Sequence, residues 1–204
     1  MLNDRSSALA LLQTRRSARP RDLVAPGPDA EELCRILTIA SRTPDHGKLT
    51  PWRFVHVPQE RRGDFHAMLE KAYLKDNPSA GRLELEAVER FAHQAPTLIV
   101  AFSCPRSGKI PAWEQELSCG AALMNLLLAA HALGYAAGWV TGWASYSRSV
   151  TRALGGGEED RIAGFVFIGT PAAEPEERPR PALDMVASVW DPNFPNRPLT
   201  AEVY

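Results

Sequence analysis

The sequence lacks the features that mark several large functional classes. Its 23 lysines and arginines face 24 aspartates and glutamates, a net charge of -1, so it has no basic surplus for binding nucleic acid. Its three cysteines, Cys34, Cys104 and Cys119, form no Cys-x-x-Cys pair of the kind found in zinc and dithiol sites. They are expected to be free thiols, and residues 1–5 lack the basic-then-apolar pattern of a signal peptide. The cytoplasm is therefore the expected compartment.

Motifs for nucleophilic and metal-dependent catalysis are also missing. The chain has no Gly-x-Ser-x-Gly elbow, no Walker loop, no His-Glu-x-x-His and no acidic cluster suited to calcium or magnesium. Asp45 and His46 are adjacent, but neighbouring side chains in a loop point apart, which argues against a catalytic triad. No metal site and no catalytic side chain are expected.

A membrane span is not expected either. The most apolar stretch, residues 117–133, contains only Ser118, Asn125 and His131 as polar residues, but it is short for a span and follows two glutamates. We interpret it as a buried core helix that can also pack on a partner subunit. His131 is expected to be a hydrogen-bonded core histidine.

What the sequence does contain is a regular succession of helix and strand patterns. With 204 residues, 45% of them hydrophobic, the chain can bury the core of one domain, with or without an arm. Periodicity predicts helices at residues 4–14, 28–40, 65–73, 79–94, 112–133 and 149–154, and strands at 52–57, 97–102, 135–142 and 162–168. Asn3 or Asp4 is expected to cap the first helix, and Gly134 to end the longest one.

Residues 171–204 have a different character. Repeated prolines make a compact core element improbable there, while apolar side chains give the segment surface to bury. These side chains are Met185, Val186, Val189, Trp190 and Phe194. We expect an extended arm that embraces a second copy of the chain.

Three polar segments stand out. Residues 15–19, Arg-Arg-Ser-Ala-Arg, are either a solvated charge cluster or an anion clamp, since guanidinium groups and a hydroxyl match phosphate oxygens. The loop of residues 41–54 gathers Arg42, Asp45, His46 and Lys48 between a helix and a strand, where scaffolds present binding residues. Glycines flank residues 139–141, and glycine in a strand often marks close approach by a ligand or another backbone.

Taken in order, these segments resemble the bacterial nitroreductase family of FMN-dependent oxidoreductases. The matching segments are residues 15–19, 42–46, 51–54, 113–116, 134–135, 138–139 and 164–171, which together span nearly the whole chain. The chain is most similar to the small, single-domain branch of NAD(P)H nitroreductases, whose loop has Ala-Pro-Asp-His where this sequence has Arg42-Thr43-Pro44-Asp45-His46.

The resemblance implies an α+β fold with an antiparallel-dominated central sheet flanked by helices. Residues 1–204 would form a single FMN-binding domain, with residues 171–204 as the extended arm. Two copies would make an intertwined homodimer with two FMN sites at the subunit interface.

The resemblance also assigns eight residues to the cofactor. Arg15, Arg16 and Ser17 would hold the phosphate and ribityl end, Arg42 and His46 would contact the flavin, and Trp139, Val140 and Thr141 would lie along the isoalloxazine. Arg42 would reach the FMN held mainly by the other subunit. The family's basic residue near the C-terminus, which helps to hold phosphate, has only Arg197 as a candidate.

The implied activity is ping-pong hydride transfer from NADH or NADPH through FMN to a nitroaromatic, a quinone or a similar acceptor. Many members carry Asn and Gln where this chain has His46 and Thr50, and no helical lid is evident between Pro105 and Pro111. A shallow acceptor pocket is therefore expected. The alternatives are a specialised flavin reaction, such as reductive dehalogenation or dehydrogenation, and a flavin storage or sensor protein without turnover.

Overall fold

One antiparallel sheet of five strands forms the centre of the molecule. The computed structural model describes residues 1–192 and 197–199. The main sheet has the order β1-β5-β3-β2, and β4 pairs with β5 as well. Its strands are β1 (Leu23–Val24), β2 (Trp52–Val57), β3 (Thr97–Ser103), β4 (Ala136–Val140) and β5 (Arg161–Pro171). All strand pairs among the described residues are antiparallel, so the predicted α+β fold with an antiparallel-dominated sheet is confirmed.

Helices cover both faces of this sheet. They are α1 (Ala8–Thr14), α2 (Ala30–Ala40), α3 (Arg62–Asp76), α4 (Arg82–His93), α5 (Ala112–Ala132), α6 (Trp143–Tyr146), α7 (Arg148–Ala153) and, in the tail, α8 (Leu183–Val186). Side chains on β5 alternate between the faces, as the two-residue period of a strand requires. Phe165 and Phe167 join the core on the side of α3 and α4, while Val166 and Ile168 join the core on the side of α2 and α5.

Helix boundaries follow local capping chemistry, with one correction. Asp29 and Glu32 form a capping box that starts α2, as the polar residues before its apolar stripe favour. The prediction that Asn3 or Asp4 caps the first helix is wrong, because Ser7 accepts from the amide of Ala10 and α1 begins at Ala8. Asp4 instead closes a short turn by accepting from the Ser6 amide.

Helix α5 is the longest helix of the described part, with 21 residues. It ends as predicted, with Gly134 in the left-handed region at φ +101°. His131 is 1% exposed and hydrogen-bonded, which confirms its prediction as a core residue. Among the described residues, no helix has both the length and the apolar character needed to cross a membrane.

The tail beyond β5 adds no residue to the buried core in its described part. After Pro171 it runs without regular structure to α8 and then forms a small ladder of β6 (Ser188–Val189) with β7 (Arg197–Pro198). Its apolar side chains stay on the surface, with Met185 and Trp190 at 77% and 80% exposure. Phe194 lies outside the described residues, and an exchanged arm stays a prediction.

One close crossing positions the segment that follows α1. The Ala18 amide donates to the Ala137 carbonyl over 3.3 Å, so the chain passes directly over β4. A Cβ on Gly138 would lie 2.5 Å from the Ala18 carbonyl oxygen. The prediction that glycine here marks a close approach is correct, and the approaching group is the backbone of Ala18.

Replacing Gly138 with alanine should therefore separate this segment from β4. Because the Cβ would meet backbone rather than a flexible side chain, we expect Gly138→Ala to lower the free energy of unfolding by about 2 kcal/mol. Urea denaturation measures this. The matched control is Gly63→Ala in α3, where a Cβ meets nothing within 4 Å and stability should be equal or higher. Equal stability of the two variants would contradict the crossing.

Candidate functional site

The segment of residues 15–17 is held in place from both sides. Where α1 ends, the Arg16 amide donates to Asn3 Oδ1 over 2.7 Å, so the residue expected to cap the helix instead holds this segment. On the other side lies the crossing of Ala18 over β4. Arg15, Arg16 and Ser17 consequently lie beside the strand that carries Trp139.

Three guanidinium groups lie close enough at this segment to interact electrostatically. Burial lowers the pKa of Arg15, and the positive charges of Arg180 and Arg16 lower it further. Arg16 Nε donates to the Glu176 carbonyl over 2.7 Å, which brings the tail onto the same surface. Arg15 donates to Ser17 Oγ over 3.0 Å, leaving the Ser17 proton available to another acceptor.

Only a little negative charge offsets this cluster. Glu177 Oε1 lies 3.3 Å from Arg180 Nη2 in an exposed contact, and among the described residues no carboxylate lies within salt-bridge distance of Arg15 or Arg16. Converging guanidinium groups with a hydroxyl among them suit an anion with several oxygens, and phosphate has that chemistry. The residues at this site therefore fit the phosphate of FMN.

Arg180 was missed by sequence reasoning, which had only Arg197 as a basic residue near the C-terminus. The Arg197 side chain lies outside the described residues. Residues 178–180, Arg-Pro-Arg, are a basic signal in the tail. Its relevance is visible only in the folded chain, where the tail returns to the surface that carries Arg15.

The loop between α2 and β2 is organised by one carboxylate. Asp45 accepts from the amides of Leu49 and Thr50 over 3.1 and 2.7 Å. This bridging supports a tight path in which Lys48 and Thr50 both have positive φ, at 56° and 50°. Asp45 thus serves the loop and not the neighbouring His46, in agreement with the rejection of a triad.

His46 pairs with the first turn of α5. Its Nδ1 lies 2.6 Å from Glu114 Oε2, so this nitrogen carries a proton and donates to the carboxylate. Both side chains are well exposed, and such a pair stabilises the fold little. It does orient the imidazole, leaving Nε2 as the nitrogen that can meet a ligand. In the sequence, Glu114 belongs to the segment of residues 113–116 that resembles the nitroreductase family, and nothing there pairs it with His46.

The segment of residues 139–141 presents a fixed aromatic surface. Trp139 Nε1 donates to the Ala163 carbonyl over 3.0 Å, and the indole lies against Gly164, where a Cβ would be 2.1 Å from that nitrogen. The ring is therefore anchored while 38% exposed. Thr141 does not lie on the strand as predicted, because β4 ends at Val140. Gly142, at φ +153°, turns the chain toward α6 at that point.

Within one chain the structure brings together only part of the predicted site. Residues 15–17 adjoin β4, but His46 is bonded to Glu114 at the start of α5, whereas Arg16 is bonded to His131 near its end. These helix positions are 17 residues apart, about 25 Å at about 1.5 Å per residue. His46 therefore lies far from the guanidinium cluster of its own chain, whereas the Arg42 backbone is held by Asn125, six residues from His131.

Comparison with known proteins shows which family this chain is similar to. The sequence profile of the Nitroreductase family matches residues 12–170. A Haemophilus influenzae protein named "Putative NAD(P)H nitroreductase" is 39% identical over 175 residues, 85% of this chain and 93% of its own. The Escherichia coli K12 protein of the same name, YdjA, is 38% identical over 167 residues, 80% of this chain and 88% of its own.

Solved structures show the same fold. A nitroreductase-like family protein from Bacillus cereus has a TM-score of 0.80 at 19% identity, covering 91% of this chain and 97% of its own. A Bacteroides fragilis nitroreductase with bound FMN has a TM-score of 0.65 at 20% identity, covering 90% and 98%. The chain belongs to the nitroreductase family, which confirms the predicted resemblance to this group of oxidoreductases.

Proposed function

We propose that this protein is an FMN-dependent oxidoreductase that uses NADH or NADPH to reduce a small organic acceptor such as a nitroaromatic or a quinone. The observation that carries the proposal is the cluster of Arg15, Arg16 and Arg180 beside a strand with an anchored indole. A phosphate site next to a flat aromatic surface is what a phosphorylated planar cofactor requires. The names of the two curated relatives support NAD(P)H as the donor, and the Bacteroides fragilis structure supports FMN.

At the phosphate end, the protein's task is charge neutralisation. Arg15 and Arg180 bring positive charge, Arg16 is fixed by the Glu176 carbonyl, and Ser17 offers a hydroxyl proton. Charge-assisted hydrogen bonds of this type are about twice as strong as neutral ones. A phosphate dianion would also relieve the mutual repulsion of the guanidinium groups.

At the ring end, the protein would orient the flavin ring and polarise it. Trp139 forms a wall beside the ring, and the backbone of Val140 and Thr141 lies next to it. Arg42 and His46 would face the oxygen-bearing edge of the ring, where negative charge develops on reduction. When bound, FMN supplies the hydride and electron transfer, so no side chain need act as nucleophile or metal ligand.

A second copy of the chain would complete the site. His46 lies far from residues 15–17 of its own chain, so we propose that His46, together with Arg42 of the same loop, serves the FMN of a partner in a homodimer. Large apolar side chains are exposed on the two helices next to these segments, α1 and α5. They are Leu9 and Leu12 on α1 and Trp113 and Leu117 on α5, with exposures of 53 to 66%. Such surface is typical of an interface.

The tail fits the same homodimer. Residues 176–180 lie on their own chain's arginines, so an exchanged arm would leave its protomer only after Arg180. Beyond that point, Met185 and Trp190 expose most of their apolar surface, which a partner would cover. We propose that residues 181–192 take part in this contact, so that the arm begins later than the residue 171 expected from the resemblance.

The acceptor pocket would be open. No helix forms within residues 104–111 of the described chain, and this stretch touches the central loop through Arg106 Nε, 3.4 Å from the Leu49 carbonyl. A small aromatic acceptor could reach the ring without a lid, but few groups would select it. All three cysteines are free thiols, which is compatible with our proposal of a reducing, cytoplasmic setting.

The first test is flavin reduction. Purified protein, loaded with FMN if necessary, should lose its yellow absorbance on anaerobic rapid mixing with NADH or NADPH, and a nitroaromatic or quinone should restore it. A flavin that both nucleotides leave oxidised would favour storage or sensing instead. Rapid reduction followed by reoxidation only by halogenated or other specialised compounds would favour the specialised flavin reaction.

The second test concerns the phosphate. Because each substitution removes a charge-assisted contact worth about 1.5 to 3 kcal/mol, Arg15→Ala and Arg180→Ala should each weaken FMN binding about 10- to 100-fold. Arg152→Ala, at an exposed arginine of α7, is the matched control and should leave it unchanged. Titration with riboflavin, which has no phosphate, should show little effect of any variant. Equal losses for FMN and riboflavin would refute the assignment.

The third test asks whether two chains build one site. Differently tagged Arg15→Ala and Arg42→Ala chains are co-expressed, and the mixed dimer is isolated and titrated with FMN. If Arg15 of one chain and Arg42 of the other serve the same cofactor, the mixed dimer regains one tight site, while both homodimers bind weakly. Two weak sites in the mixed dimer would place both arginines on the cofactor of their own chain. A wild-type protein that sediments as a monomer would refute the proposed homodimer.

A further inference from the structure

The three polar side chains in the apolar stretch of α5, residues 117–133, all contact backbone carbonyls of other segments. Ser118 Oγ donates to the Pro44 carbonyl over 2.5 Å, and Asn125 Nδ2 donates to the Arg42 carbonyl and to Thr43 Oγ1 over 3.1 and 2.8 Å. His131 Nε2 lies 3.1 Å from the Arg16 carbonyl. All three therefore contact the backbone segments that carry the proposed FMN residues outside β4.

Packing alone does not account for these residues. Ser118 is 8% exposed and His131 is 1% exposed, and a buried polar group costs free energy unless it is hydrogen-bonded. Alanine or leucine, which make up most of residues 117–133, would serve a core equally well. The polar groups therefore mark places where α5 must hold a particular stretch of loop.

The three residues divide into two sets along the helix: Ser118 near its start and Asn125 in its middle form one, and His131 near its end forms the other. Ser118 and Asn125 are seven residues apart, so they lie on the same face and hold the loop of Arg42 and His46. His131 is near the C-terminal end, with Nδ1 2.7 Å from the Leu127 carbonyl and Nε2 3.1 Å from the Arg16 carbonyl, and the neutral ring donates to Arg16 in the tautomer that carries its proton on Nε2. One rigid helix thus sets the position of both segments.

We propose that Ser118, Asn125 and His131 are positioning residues for the flavin site. Ser118 and Asn125 fix the loop that addresses the ring edge, and His131 fixes the segment that binds the phosphate. The inference rests on the proposed function. In the proposed dimer each α5 serves two cofactors, since its His131 end supports the phosphate of one FMN and its Ser118 end supports the ring of the other.

The two sets should give different signatures when they are changed. His131→Leu should weaken FMN binding about tenfold and riboflavin binding less than twofold, because it disturbs only the phosphate segment. His131→Gln, which keeps an N–H donor, should restore most of the FMN affinity. Ser118→Ala and Asn125→Leu should leave the ratio of FMN to riboflavin affinity unchanged while slowing flavin reduction by NAD(P)H about tenfold and shifting the flavin absorbance band.

The control is Thr151→Val in α7, which removes another buried hydroxyl bonded to a carbonyl, that of Ser147 at 3.1 Å. It should change neither the affinity ratio nor the reduction rate. Urea unfolding of each apo-protein reports any general loss of stability. Ser118→Ala removes a single oxygen and keeps the helix, so it remains informative if the leucine variants do not fold.

The outcomes separate this inference from the proposed function. If the wild-type protein binds no FMN, or its flavin is not reduced, the proposed function fails. If the wild-type protein binds and reduces flavin but the three variants behave like Thr151→Val, the positioning role is refuted. Loss of FMN and riboflavin affinity in equal measure for His131→Leu would also refute it, because a merely structural role predicts that pattern.

Discussion

The site depends on the contact between two stretches of backbone where Ala18 crosses β4. Without the hydrogen bond from Ala18 to Ala137, and without a glycine at position 138 to permit it, nothing on the strand would hold Arg15 and Arg16 beside Trp139. Side-chain interactions of charged residues could not replace this contact. Guanidinium groups repel one another, whereas a backbone crossing fixes the position from which their side chains start.

Once the backbone is fixed, charge determines what the site can bind. Arg15, Arg16 and Arg180 come from two segments more than 160 residues apart, and their proximity is electrostatically unfavourable. The fold tolerates this repulsion because three hydrogen bonds that involve the backbone hold the two segments in place. They are the bond at the crossing, the bond to Asn3 and the bond to the Glu176 carbonyl. In the proposed FMN site a bound phosphate would relieve this repulsion, so binding energy would be concentrated at the phosphate end and the ring end would be left free for orientation.

Helix α5 solves a separate problem, that of keeping two distant segments in register. An α-helix of 21 residues with a buried face is stiff, so a loop bonded at one end and a strand crossing bonded at the other keep a constant separation. The same helix leaves Trp113 and Leu117 uncovered. The proposed division of the cofactor between two chains follows from the combination of a fixed spacing and an exposed apolar surface.

The sequence by itself determined what depends on neighbours along the chain. The run of residues 52–57 is a strand to the residue, the capping box at Asp29 starts α2, and the glycine at 134 ends α5. The matching motifs also led to the family and its fold before any contact was known. The cap of α1 was not predicted, since Asn3 accepts from the Arg16 amide 13 positions away and Ser7 caps the helix instead.

The tertiary structure alone decided which distant groups meet. Arg180 lies near Arg15, Glu114 holds His46, and Gly138 accommodates the backbone of Ala18 and not a ligand. These pairs are 68 to 165 positions apart in the sequence, and no periodicity links them. Local propensity acts over one or two turns of helix and carries no information about such pairs. They are fixed only when burial of the two cores against the sheet closes the chain.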